Sequence, residues 1–79
     1  MKIGTVTGAV WATKKCAGLI GQALLCVAMD SGSIVAADLV GAGRGERVLV
    51  AFGKQTGCPA PVDAAIVGIL DESGENNVN

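Results

Sequence analysis

The chain has 79 residues, 51% of them apolar and only 16% charged, with a net charge of −1 and no histidine. A chain of that length holds one domain and buries only about 60% of the surface its unfolded form exposes, so it is marginal alone. The weak, scattered charge excludes the basic face that nucleic acid demands, and the missing imidazole excludes a histidine base and any histidine-ligated metal.

The opening MKIGTVTG lacks the apolar core of a leader peptide. Residues 3–13, IGTVTGAVWAT, are rich in Val, Thr and Ile and predict a first strand, with Gly4 and Gly8 marking a bend or bulge. The charges and glycines of 14–21 predict a loop, with Lys14-Lys15 as a solvated pair or part of a ring surface. QALLCVAM (22–29) fits a helix by propensity and a buried strand by its length between turn signals; the strand reading is preferred. Its apolar run, Ala23 to Met29, is too short to span a bilayer, so no membrane is expected and the cytoplasm is. DSGS (30–33) predicts a turn, SIVAADLV (33–40) a third strand and RVLVAF (47–52) a fourth. The prolines of 53–61 predict a loop, and PVDAAIVGIL (61–70) a fifth strand, although Asp63 after a proline also suits the start of a helical turn. The tail from about residue 72 is polar and reads as loose.

Val48, Val50 and Phe52 fall on one face of their strand and Leu49 and Ala51 on the other; Ile66, Gly68 and Leu70 likewise oppose Val67 and Ile69. Both faces are apolar, and such strands must be covered on both sides. With no long helix to do so, the expected cover is another copy of the chain, which makes Leu49, Val67 and Ile69 candidate subunit-interface residues. Trp11 is either an interface anchor or a core residue at a barrel end. The fold class expected is all-β, a small five-stranded closed barrel of OB type.

Gly41, Gly43 and Gly45 in VGAGRGERVLV (40–50) invite a nucleotide-binding reading. A dinucleotide fingerprint needs GxGxxG opening a helix. Here the sixth position from Gly41 is Glu46, the sixth from Gly43 is Val48, and a strand follows. The glycines instead suit a tight turn. Cys16, Cys26 and Cys58 are widely spaced and form no CxxC pair, and read as reduced small hydrophobes. The carboxylates of Asp30, Asp38, Glu46, Asp63, Asp71 and Glu72 form no dyad by spacing, so no catalytic, cofactor or metal site is assigned.

VAADLVGAGRGERVLVAFG (35–53) resembles the EutN/CcmL family of bacterial microcompartment vertex proteins, marked by A-x-D-x-V-G-A-G-x-G-E-x-V-L. MKIGTVTGAVWATKK, LIGQALLCV and PVDAAIVGILDE are similar to its other segments, in order, from Met1 to Glu72. Ala23, residues 53–57 and the short tail depart from the pattern. The resemblance implies one shell-vertex domain over 1–79, an OB-like barrel assembling into a cyclic homopentamer. That ring would cap the five-fold vertices of a compartment shell tiled by hexamers, without catalysis or cofactor. It also makes Gly41, Ala42, Gly43, Arg44, Gly45 and Glu46 a candidate shell-contact turn, with Asp38 shaping it. The alternative for such a barrel is a binding module for single-stranded nucleic acid or a small ligand, which needs aromatic platforms in a basic groove; two aromatics and a net charge of −1 argue against it.

Overall fold

The computed structural model describes residues 1–11, 17–19, 21–53 and 63–71. Five strands form a closed barrel: β1 (Lys2–Ala9), β2 (Leu24–Met29), β3 (Gly32–Asp38), β4 (Arg47–Phe52) and β5 (Ala64–Ile69), in the order β1-β2-β3-β5-β4 around the wall. Neighbours are antiparallel except β3 and β5, which run parallel through Ala37↔Ala65 and Asp38↔Ile66. The expected all-β barrel is therefore the fold, and QALLCVAM resolves to a strand. A short 3₁₀ turn, Ala17–Leu19, lies within the expected first loop.

Val6, Leu25, Val27, Ala36, Val48, Val50, Ala64 and Ile66 fill the barrel, with Met29, Ile34 and Ala42 packed against them. Small and β-branched side chains suit so narrow an interior. Neither aromatic is part of it. Phe52 is 43% exposed and Trp11 90% exposed, so Trp11 is not a barrel-end core residue.

β1 bends as its glycines predict. The β1–β2 register shifts between Val6 and Gly8, and Thr7, the extra residue, donates its hydroxyl to the Cys26 carbonyl at 3.2 Å. Gly4 has a different reason. A Cβ there would lie 2.5 Å from Val27 Cγ1 and 2.9 Å from the Ala28 carbonyl oxygen, so β2 crosses too closely for any side chain.

Several boundaries shift from expectation, β2 starting at Leu24 and β5 spanning only Ala64–Ile69. β1 begins at Lys2 and ends at Ala9, although Val10 still donates its N–H to Leu24 O. β3 ends at Asp38, because that side chain captures the amides that follow. Asp63 opens no helical turn: it is an exposed bend before β5, its carbonyl accepting the Gly53 N–H at 2.8 Å. A second bulge corrects the face assignment in β5. Val50 pairs with Ile66 but Leu49 with Gly68, which leaves Val67 as the extra residue. Gly68 therefore shares the outer face with Leu49, not the inner face with Ile66.

Candidate assembly surfaces

Asp38, the last residue of β3, turns the chain. Its Oδ1 accepts the N–H groups of Val40, Gly41 and Ala42 at 3.1, 3.0 and 3.1 Å, and its Oδ2 accepts Ala42 N–H again at 3.0 Å. Aspartate is the residue for this, because its short carboxylate reaches amides two to four positions on. A second carboxylate closes the other half: Gly43 donates its N–H to Glu46 Oε1 at 2.6 Å, and the Glu46 N–H returns to Gly43 O at 3.1 Å. Two charge-assisted clamps thus fix a turn that has little apolar packing of its own.

The glycines serve separate purposes. Gly41 and Gly45 lie at φ of 79° and 89°, where a side chain would be strained. Gly43 does not, and a Cβ there would make an ordinary contact with Glu46 Oε1 at 3.4 Å; its part in the turn is the amide it donates to that carboxylate. The turn is then stitched to β1, Gly45 donating to Val6 O at 2.8 Å and Val6 donating to Glu46 O at 3.0 Å. Ala42 tucks towards the core while Arg44 stays exposed. Sequence reasoning found Asp38 and the glycines but missed the Glu46 clamp, whose signal was an acceptor three residues after Gly43.

The outer wall is apolar as well. Ile3, Leu49 and Gly68 lie opposite one another across β1, β4 and β5, with Ile3 48% exposed and Leu49 half-buried. Across the barrel, Cys26 of β2 pairs with Val35 of β3, and Val35 is 46% exposed. Val67 is half-buried at its bulge, whereas the bulge turns Ile69 from the expected outer face to the inner one, opposite Val48 at the barrel's end, where it is 41% exposed. Beside Ile3, an open groove of about 570 Å³ is lined by the apolar Met1, Ile3, Met29 and Leu49 and by the polar Lys2, Asp30, Ser31 and Arg47. Its residues are far apart in sequence, and nothing in their spacing announces it. Trp11 stands just past the other end of β1, where it lines a smaller cleft together with Leu24 and Leu25.

Among the described carboxylates, Asp38 and Glu46 are engaged within the turn, while Asp30, Asp63 and Asp71 are exposed. Among the described residues no three His, Cys, Asp or Glu side chains come together. Cys26 is a half-buried free thiol. Cys16, Cys58, Lys14-Lys15 and Glu72 lie outside the described residues.

A small closed barrel, apolar inside and out and with a carboxylate-clamped glycine turn, defines a class of self-associating β-barrel domains. The particular family follows from comparison: residues 1–71 match the family described as ethanolamine utilisation protein EutN/carboxysome, and the chain belongs to it. It is 40% identical to the bacterial microcompartment shell vertex protein PduN of Salmonella typhimurium, over 90% of this chain and 96% of that one. Its fold is similar to the GrpN pentameric microcompartment shell protein of Rhodospirillum rubrum, with a TM-score of 0.81 and 40% identity over 90% of this chain and 94% of that one. It is also similar to MSM0273, the pentameric shell protein of the RMM microcompartment, with a TM-score of 0.80 and 38% identity over 100% of both chains.

Proposed function

We propose that this chain is a structural vertex protein of a bacterial microcompartment shell, five copies closing into a ring. The observation that carries the reading is the full-length likeness, in sequence and fold, to pentameric shell proteins. Physical argument supports it independently. A ring joins one patch of each subunit to a different patch on the next, and the barrel offers apolar surface on opposite walls.

The shell role has a geometric reason. A sheet of hexagons is flat, and closing it into a polyhedron requires pentagons, so hexameric shell proteins are the partners of the ring. The clamped turn 41–46 is the surface offered to them: it is exposed, held in one shape by Asp38 and Glu46, and carries Arg44 outward for directional contact at a polar rim. No catalytic role is assigned, since the described carboxylates serve turns and surface. Residues 1–79 act on this reading as one vertex domain.

Native mass spectrometry of the purified chain tests the reading. A five-fold species is expected, and a monomer at micromolar concentration overturns it.

A further inference from the structure

We infer that Trp11 of one subunit seats in the groove of the next, against that neighbour's Met1, Ile3, Met29 and Leu49. The contact deepens the ring reading and rests on it.

The groove asks for an aromatic guest. Its lining is half apolar and half polar: two thioethers and two aliphatic side chains beside Lys2, Asp30, Ser31 and Arg47, and sulfur packs favourably on the edges of aromatic rings. Lys2 on its rim brings a cation to the face of a seated ring. Asp30, also on the rim, offers an acceptor to an indole N–H, which needs a partner once buried. Ligand pockets of about 300–1,000 Å³ hold small molecules, so about 570 Å³ admits an indole.

The chain carries one such guest. Trp11 is its only tryptophan and, at 90% exposure, the most exposed large apolar side chain among the described residues. It cannot fill its own groove. Ile3 and Trp11 are eight residues apart on or just past one extended strand, roughly 26 Å at about 3.3 Å per residue. Knob and socket at opposite ends of a strand can be satisfied only between copies. Repeated in one rotational sense, that head-to-tail contact closes a ring.

Because Trp11 is the sole tryptophan, its fluorescence reads this contact alone. In the assembled wild-type chain its emission is expected blue of free indole in water, with several-fold weaker acrylamide quenching. Trp11→Ala is expected to weaken each subunit contact at least about thirtyfold and to leave folded, dissociated chains by circular dichroism. Leu49→Asp, or Ile3→Asp where Leu49→Asp does not fold, should dissociate the ring while shifting Trp11 emission to the red. Mixing Trp11→Ala, whose groove is intact, with Ile3→Asp, whose indole is intact, should give a one-to-one heterodimer that stops there and restores the blue shift. A ring whose Trp11 emits as free indole overturns the contact and leaves the ring reading standing. So does a ring that survives both substitutions, or a mixture that stays monomeric where the wild type is fully assembled. A monomeric wild-type chain overturns the ring reading itself.

Discussion

Both carboxylate oxygens of Asp38 reach a single amide, that of Ala42, at 3.1 and 3.0 Å, and one of them also holds the amides of Val40 and Gly41. Removing that carboxylate therefore frees three N–H groups at once. Asp38→Ala is expected to cost about 1–2 kcal/mol per subunit, the range for hydrogen bonds to a charged group discounted for partial exposure to water. Asp38→Asn, which keeps one acceptor oxygen, should cost less. Urea unfolding at fixed protein concentration measures both, and faster hydrogen exchange at Val40, Gly41 and Ala42 locates the effect. Equal unfolding midpoints for Asp38→Ala and the parent chain would show that the clamp contributes nothing.

Arg44 separates the rim from the fold. Its side chain is exposed, and its φ is not in the left-handed region. Arg44→Glu should change stability by no more than about 0.5 kcal/mol, as surface substitutions do, and leave the pentamer intact. Incorporation into shells co-assembled with a hexameric partner should fall sharply, as counted by electron microscopy or co-purification. Unchanged incorporation assigns the turn to internal architecture alone.

Gly4 is a packing position. An added methyl would meet the side chain of Val27 and the backbone carbonyl of Ala28, and a backbone atom moves only with its strand. Gly4→Ala is expected to destabilise by about 1–3 kcal/mol, the cost of overpacking. Thermal unfolding of the two proteins at matched concentration reads the difference.

Cys26 lies across from Val35 on the outer side of β2 and is only half-buried. Cys26→Ala removes little buried area, and the expected loss is under about 1 kcal/mol. The chain with Cys16, Cys26 and Cys58 all replaced by Ser or Ala should still assemble, and the parent ring should withstand a chelator. Stoichiometric metal in elemental analysis, or dissociation by chelator, would contradict this.

Much of the barrel is legible in the sequence because its strands are short runs of Val, Ile and Ala between charged or glycine-rich breaks. Their ends are less so. β3 stops at Asp38 through a side chain that accepts amides of the following turn, a matter of hydrogen-bond geometry that hydropathy does not record. The bulge at Val67 is silent, since an alternation of Val, Gly and Ile looks the same before and after a shift of face. The glycine turn is legible as a motif, whereas the demand for positive φ at Gly41 and Gly45 but not at Gly43 is read only from backbone angles. The groove is least legible of all. Antiparallel register, not sequence proximity, brings Ile3 beside Leu49 and both within reach of Met29.

Every one of the five strands is hydrogen-bonded to a neighbour on both sides. An open sheet this apolar would offer its rim as a template, and further chains would add strand by strand into fibres. Closure leaves these strands little backbone to recruit with, chiefly where β3 meets β5 through Ala37 and Asp38 alone. Association must then pass through side-chain surfaces, whose fixed angle between one patch and the other determines how many copies fit before the last meets the first. The same hydrogen bonds that shape the barrel thereby convert a tendency to aggregate without limit into the ability to count.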